Sequence, residues 1–272
     1  MVTFAVICHN EAPLLANVLR QAIEAAGPGD RVWLVDSQST DDSAEIARSF
    51  GIEVLAGPLG KGRLLAFVLD RCRHGQVCLL DADIEASSLN IPQALGDAMR
   101  SAEADMVVGD FDWPQLRFTG ALDGIYRPLV GDLFPEALGI APRMPFSGFR
   151  ALDAGLDLGT LPPRWGAETH LNLQVAATGR VTTVDLGVYE GPNRPKTREL
   201  AIDAAASILD LAERHGRLEP AMRPRWEAWV QRAMGVLGTQ PGPDERPGDY
   251  PERLAEVPTW PRPATSALTS IA

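Results

Sequence analysis

From Val2 to Val108 the chain alternates short apolar runs of strand length with stretches whose apolar residues recur at helical spacing. Val2–Cys8, Arg31–Asp36, Ile52–Leu55, Val77–Leu80 and Asp105–Val108 read as strands. Between them, helices are expected after Asn10 (through Leu14, Leu15, Val18, Leu19 and Ile23), after Asp42, over Leu64–Cys72 and over Pro92–Ser101. Strands and helices in this rhythm build βαβ units, which constrains the fold to a mostly parallel sheet flanked by helices. Ligands of such sheets bind outside the carboxyl ends of the strands. The stretches to watch are therefore His9-Asn10-Glu11, Asp36-Ser37, Gly60-Lys61-Gly62 and Asp81-Ala82-Asp83. Local signals predict Asn10 as a helix cap with Pro13 in the first turn, and a capping box from Ser39 to Asp42.

The apolar run Val77-Cys78-Leu79-Leu80 ends in Asp81-Ala82-Asp83. Residues i and i+2 of a strand share a face, so both carboxylates are expected at one site. Carboxylates that close repel unless a cation or donor lies between them. Hard Mg²⁺ or Mn²⁺ suits oxygen ligands, with phosphate oxygens completing the shell. The bland alternative is a strand end with an acidic helix cap. No Gly-x-Gly-x-x-Gly loop follows the first strand, which argues against a dinucleotide site. Lys61 is not in a P-loop, because Leu55 stands where the first glycine would be and Gly62 where Ser or Thr would be. Glycines around a lysine still suit close approach to a phosphate.

The second half is less regular. Gly120–Leu138 reads as partly helical, Pro145–Arg150 as strand or turn, Glu168–Ala177 as helix, Val181–Leu186 as strand and Thr197–Gly216 as a strong helix. Beyond Glu219 a short helix carries Trp226, Trp229 and Val230, and prolines recur from Pro241 to Pro263. These boundaries predict a domain over 1–216, with a nucleotide-binding half (1–110) and an acceptor half (111–216). A helical, Pro-rich extension over 217–272 is expected as an extended arm or oligomer contact.

A net charge of −11 argues against nucleic acid or an anionic membrane as partner, so an anionic substrate needs a local basic group or a metal. No apolar run reaches the length of a membrane span, and no signal-peptide pattern opens the chain. Cys8, Cys72 and Cys78 lack metal-ligand spacing, which predicts reduced thiols and a cytoplasmic location.

Together Val35–Asp42, Gly60-Lys61-Gly62 and Asp81-Ala82-Asp83 resemble the nucleotide-sugar half of GT-A-type glycosyltransferases. Arg127-Pro128-Leu129, Leu133-Phe134-Pro135-Glu136, Ser147-Gly148, Trp165–Glu168, Val184–Val188 and Asn193-Arg194-Pro195 are similar to the glucosyl-3-phosphoglycerate synthases. This resemblance covers Val2–Gly216. It implies a metal-dependent, retaining transfer of a sugar from a UDP- or GDP-sugar to a small acidic acceptor such as 3-phosphoglycerate. Asn10, Glu11, Asp36 and Ser37 would cradle the nucleoside, with Lys61 near the nucleotide. Asp83 would bind Mg²⁺ or Mn²⁺, Asp81 would lie nearer ribose or sugar, Ser147 and Gly148 would line the sugar site, and Glu168 would hold sugar hydroxyls. Arg117, Thr119 and Asn193 would contact the acceptor. Members of this type are often homodimers.

Two positions depart from that family. Gly191 stands where it has a metal-binding His, leaving neighbouring Glu190 as a candidate oxygen ligand, and Phe149 replaces the Glu after Ser-Gly, implying a more apolar pocket. These departures keep two alternatives open: a transferase of the same fold acting on a specialised metabolite, and a catalytically silent nucleotide-sugar binder. A sugar-nucleotide pyrophosphorylase is disfavoured, since no Gly-rich loop follows the first strand. His170 is expected to be structural or pocket-lining, and Trp113 and Trp165 are candidate walls of an acceptor pocket.

Overall fold

The structure is a computed structural model that describes residues 1–113, 120–192, 197–237 and 257–266. It divides into two compact units, one formed by the described residues of Met1–Gln115 and Gly139–Asn193, the other by those of Leu116–Leu138 and Arg194–Ala272. The expected boundary after residue 216 does not coincide with this division, because the helix at Thr197–Arg214 groups with the segment ending at Leu138.

The first unit is an α/β layer structure around an eight-stranded sheet of order β3-β2-β1-β4-β7-β6-β8-β5. β1 (Val2–Cys8), β2 (Arg31–Asp36), β3 (Glu53–Ala56) and β4 (Gln76–Asp81) pair in parallel with one another. They alternate with α1 (Ala12–Ala25), α2 (Ser43–Ser49) and α3 (Lys61–Arg71). Every residue of β1 is buried, as is Val77–Leu80 of β4, which explains why both read as continuous apolar runs. α1 buries Leu15, Val18, Leu19 and Ala22, one stripe at helical spacing.

Next come β5 (Ala86–Ser87), α4 (Ile91–Ser101) and β6 (Met106–Asp112). Later in the chain lie β7 (Arg150–Asp153), α6 (Ala167–Thr178) and β8 (Val181–Glu190). The sheet reverses at β7, which is antiparallel to both β4 and β6, whereas β6 and β8 are parallel. Because β7 runs backwards, its beginning lies at the edge where β4 ends: Arg150 pairs with Leu79. The loop entering β7 therefore arrives beside Asp81. Arg143 fixes that loop by donating to Asp110 (2.8 Å) and Asp112 (3.1 Å), toward the end of β6, and to Asp185 (2.7 Å) on β8.

Two expected caps fall elsewhere. Glu11, not Asn10, precedes the first turn of α1, and Asn10 adopts a left-handed φ of 57° with its side-chain Oδ1 accepting from Thr40 N at 2.7 Å. α2 starts after Asp42, while Ser39 Oγ accepts from Asn10 N at 2.9 Å and Asp41 Oδ2 from Ala12 N at 3.0 Å. The polar side chains that resembled caps instead sew the β1–α1 loop to the β2–α2 loop. All three cysteines are free and buried, and no described helix is long and apolar enough to cross a membrane.

The second unit contains a π-helical turn at Leu122–Tyr126 that runs into α5 (Arg127–Leu133), then α7 (Thr197–Arg214) and α8 (Arg223–Leu237). Residues 257–266, part of the stretch expected as an extended arm or oligomer contact, dock on the unit's own helices. Trp226 Nε1 donates to Ala264 O at 3.2 Å, Glu219 N to Thr265 O at 3.0 Å, and Arg262 pairs with Asp132. Trp260 meets Trp229 edge-on with ring centroids 6.5 Å apart, under the Arg232 guanidinium at 4.0 Å. Replacing Trp260 with Ala removes both contacts from a half-buried ring and is expected to cost about 1–2 kcal/mol, below the range for fully buried aromatics. Urea denaturation of wild type and W260A measures it.

Candidate active site

Four parallel strands present their carboxyl ends at one edge, and Lys61, Asp81 and Glu168, singled out in the sequence, gather there. β4 delivers Asp81 at its last residue, and Asp83 follows in the loop. Lys61 is the first residue of α3, where a cation opposes the helix dipole. The compensation is direct: its ammonium pairs with Asp81 and lies 3.5 Å from Glu168 Oε1. Burial works against the charged lysine, but Asp81 and Glu168 outweigh it and hold its pKa above the ordinary lysine range.

Glu168 enters from the first turn of α6, where a carboxylate is favoured by the dipole. The sequence Ala167–Val175 is buried without a break, including Thr169, His170, Asn172 and Gln174, so α6 lies enclosed with polar groups all round it. Arg150, fully buried at the start of β7, reaches Asn172 Oδ1 at 3.4 Å, and its charge acts on Glu168. Burial raises the Glu168 pKa above the usual carboxylate range, and Lys61 and Arg150 only partly offset this. His170 donates from Nε2 to Leu158 O at 2.7 Å and is structural, as expected.

Gly148 is required by Asp81. A Cβ at that position would sit 1.9 Å from Asp81 Oδ2, so the chain backbone itself closes over the carboxylate. Ser147 is buried, and its hydroxyl accepts from Phe149 N at 3.1 Å, shaping the turn. Gly62 is equally constrained: its backbone abuts Pro162 O, which a Cβ would approach to 1.8 Å. That glycine makes room for protein rather than for a ligand.

In the nucleoside cradle expected from the sequence, Asn10, Glu11, Asp36 and Ser37 lie on the two adjoining loops. Asp36 Oδ1 accepts from Ser39 N at 3.1 Å, and Glu11 N donates to Ser43 Oγ at 3.1 Å. Ser37 is buried, and its hydroxyl donates to Pro58 O at 2.9 Å. Exposed His9 donates from Nδ1 to Ser37 O at 2.7 Å.

Glu190 is not brought to the carboxylate pair. It is exposed on β8, and successive strand side chains take opposite faces, so the residue turned toward Asp83 is Tyr189. The Tyr189 hydroxyl lies 3.2 Å from Asp83 O and 3.4 Å from Asp83 Oδ1. Burial and the nearby carboxylates, Asp83 and Asp81 foremost, hold its pKa above the ordinary phenol range. Phe149 is 2% exposed and packs with Tyr189 and Phe111 beneath the site, so it does not line a pocket. Among the described residues no group of three or more His, Cys, Asp or Glu is placed to hold a metal ion. The proposed acceptor contacts Arg117, Thr119 and Asn193 lie outside the described residues.

Sequence reasoning missed Tyr189, Arg150 and Arg143. The available signal for Tyr189 was Gly191 two residues on, a side chain missing beside a strand end. Arg150 sits within a run that reads as strand, and nothing local marks it as buried.

This geometry agrees with comparisons to known proteins. Residues 3–121 match the glycosyl transferase family 2 model. An uncharacterised glycosyltransferase of Mycobacterium tuberculosis is 30% identical over 220 residues, covering 78% of this chain and 95% of the relative. The fold is similar to that of glucosyl-3-phosphoglycerate synthase from M. tuberculosis, crystallised with Mn²⁺, UDP and glucosyl-3-phosphoglycerate (TM-score 0.64, 24% identity, 81% of each chain). It is also similar to mannosyl-3-phosphoglycerate synthase from Rubrobacter xylanophilus (TM-score 0.70, 20% identity, 81% of this chain and 77% of that one). The chain belongs to the family 2 glycosyltransferases and has the GT-A fold.

Two outcomes are expected at this site. Gly148→Ala drives a methyl group into Asp81, and displacement of a site carboxylate by about 1 Å is expected to lower kcat/KM about a hundred-fold with the fold intact by circular dichroism. Glu168 governs a pH dependence. Its folded pKa is raised, so its contribution to stability is fully present below the unfolded carboxylate pKa and is lost as pH rises through the folded value. Urea midpoints of Glu168→Gln are expected to fall less than those of wild type across that window.

Proposed function

We propose that the enzyme transfers a hexose, with retention of configuration, from a UDP-sugar to a small acidic acceptor of the 3-phosphoglycerate kind. The observation that supports this reading is the convergence of Asp81, Asp83, Lys61 and Glu168 at the carboxyl edge of the parallel strands. The structural neighbours, crystallised with UDP, Mn²⁺ and phosphoglycerate compounds, support the choice of donor, metal and acceptor.

The donor set at Asp83 fits a hard divalent cation. It offers the Asp83 carboxylate with that of Asp81 nearby, without a sulfur or nitrogen ligand, and a carboxylate or a pair of them is what a cation shared with a diphosphate needs. Asp83 would hold Mg²⁺ or Mn²⁺, which when bound supplies neutralisation of charge on the departing nucleoside diphosphate. Lys61 places a second positive charge at the same edge. The Glu168 carboxylate, paired with Lys61, would accept hydrogen bonds from hydroxyls of the donor sugar, and Asp81, also paired with Lys61, would accept from ribose or sugar. Asn10, Glu11, Asp36 and Ser37 would form the nucleoside end of the site, and Ser147-Gly148 its floor under the sugar. Arg117, Thr119 and Asn193 would bind the acceptor's acidic groups.

Calorimetric titration of UDP, GDP and ADP, with and without Mn²⁺, tests the donor half. UDP is expected to bind tightest and much more weakly without Mn²⁺, and Asp83→Ala to lose about ten-fold or more of the Mn²⁺-dependent affinity. Metal-independent binding indifferent to Asp83 would reduce Asp81-Ala82-Asp83 to a strand-end cap. Mass analysis of products from UDP-glucose with phosphoglycerate, glycerol phosphate and uncharged acceptors tests the other half. Product from the uncharged acceptors alone would overturn the acidic-acceptor assignment.

A further inference from the structure

Tyr189 belongs to the site in a way that neither the family match nor the neighbouring structures assign. Its ring is 4% exposed and wedged among three others: Phe111 at 4.9 Å between centroids, Trp113 at 5.3 Å and Phe149 at 5.6 Å. Interlocked aromatic rings leave a side chain little rotational freedom, so the hydroxyl is delivered to one place. That place is Asp83, whose carbonyl oxygen and Oδ1 share the phenolic proton at 3.2 and 3.4 Å.

Two backbone features hold the arrangement. The segment after Asp83 is laced to the end of β8, with Glu85 N donating to Glu190 O at 2.9 Å and Ser88 N to Val188 O at 2.9 Å. Gly191 then leaves the volume that the hydroxyl fills, since a Cβ there would lie 2.0 Å from Tyr189 Oη. Tyr189 and Gly191 are thus one device: the missing side chain at 191 is what lets the phenol at 189 reach Asp83.

We propose that the Tyr189 hydroxyl is the positioning group that orients Asp83 toward the divalent cation, acting through the carboxylate and not as a ligand itself. This rests on the reading of Asp83 as the cation ligand. A hydrogen bond from behind fixes which carboxylate oxygen faces the ion, and loss of such a partner typically costs about ten- to a hundred-fold in metal affinity. Phenylalanine keeps the ring and its packing while removing only the hydroxyl.

The test is an electron paramagnetic resonance titration of Mn²⁺ with saturating UDP, on wild type, Tyr189→Phe and Gly191→Ala. Metal-free UDP affinity and Tm are measured alongside. The proposal predicts that Y189F weakens Mn²⁺ binding about ten-fold or more while metal-free UDP affinity and Tm stay at wild-type values, and that G191A, which displaces the hydroxyl without removing it, weakens Mn²⁺ as well. Wild-type Mn²⁺ affinity in Y189F overturns it, and so does a fall in Y189F matched by metal-free UDP affinity, which would mark the hydroxyl as merely structural. If wild type with UDP takes up no Mn²⁺, the cation reading of Asp83 itself fails and the inference falls with it; uptake by wild type separates the two failures.

Discussion

A lysine ammonium set between two carboxylates at the mouth of a parallel sheet is costly to build. Lys61 is almost buried and Glu168 more so, and each ion taken from water carries a desolvation penalty of about several kcal/mol. The attraction among Lys61, Asp81 and Glu168 offsets that penalty only while all three are held in register. The surrounding architecture can be understood as what holds them. α3 begins at the lysine, β4 ends at one carboxylate, and an enclosed helix carries the other. Arg150 beneath balances the second negative charge, so the cluster sits near neutrality despite the acidity of the chain as a whole.

The same edge depends on a change of direction in the sheet. Had β7 run parallel to β4, the chain entering it would lie at the opposite edge, and no backbone would cover Asp81. The reversal brings Ser147-Gly148 to the carboxylate, and Arg143 pins the loop by drawing Asp110, Asp112 and Asp185 onto one guanidinium. A guanidinium that satisfies three carboxylates with a planar fork is a task lysine's point charge cannot perform. At the other loops the side-chain oxygens of Asn10, Ser39, Asp41 and Ser43 accept from backbone N–H groups, most of them on the facing loop, which makes that rim a laced surface and not a set of free ends.

Much of this is legible in the residues. The alternation of strand and helix through Val108 follows from apolar runs whose burial is nearly total, and Asp81, Lys61 and Glu168 meet where the parallel topology requires. The failures have a common cause. Asn10 and Ser39 carry the chemistry of caps, but tertiary partners only four or fewer ångströms away compete for the same oxygens, and local pattern does not show them. Phe149 reads as part of a pocket because its neighbours do; its burial depends on Phe111 and Tyr189, which come from distant strands. Tyr189 itself is invisible until β8 is known to extend to Glu190 and to pair with the segment following Asp83.

The position of β7 in the sheet has a consequence for how the chain is made. β4 lies between β1 and β7 in space, yet β7 begins only at Arg150. A ribosome releases β1 to β4 with one flank of β4 unpaired, and that strand is buried from Val77 to Leu80 in the finished fold. Until Arg150–Asp153 emerges, the half-sheet exposes an edge able to pair with another nascent chain, and Glu168, further on in α6, joins Lys61 and Asp81 later still. One late, four-residue strand thus closes the sheet before the helix that completes the charge cluster is made.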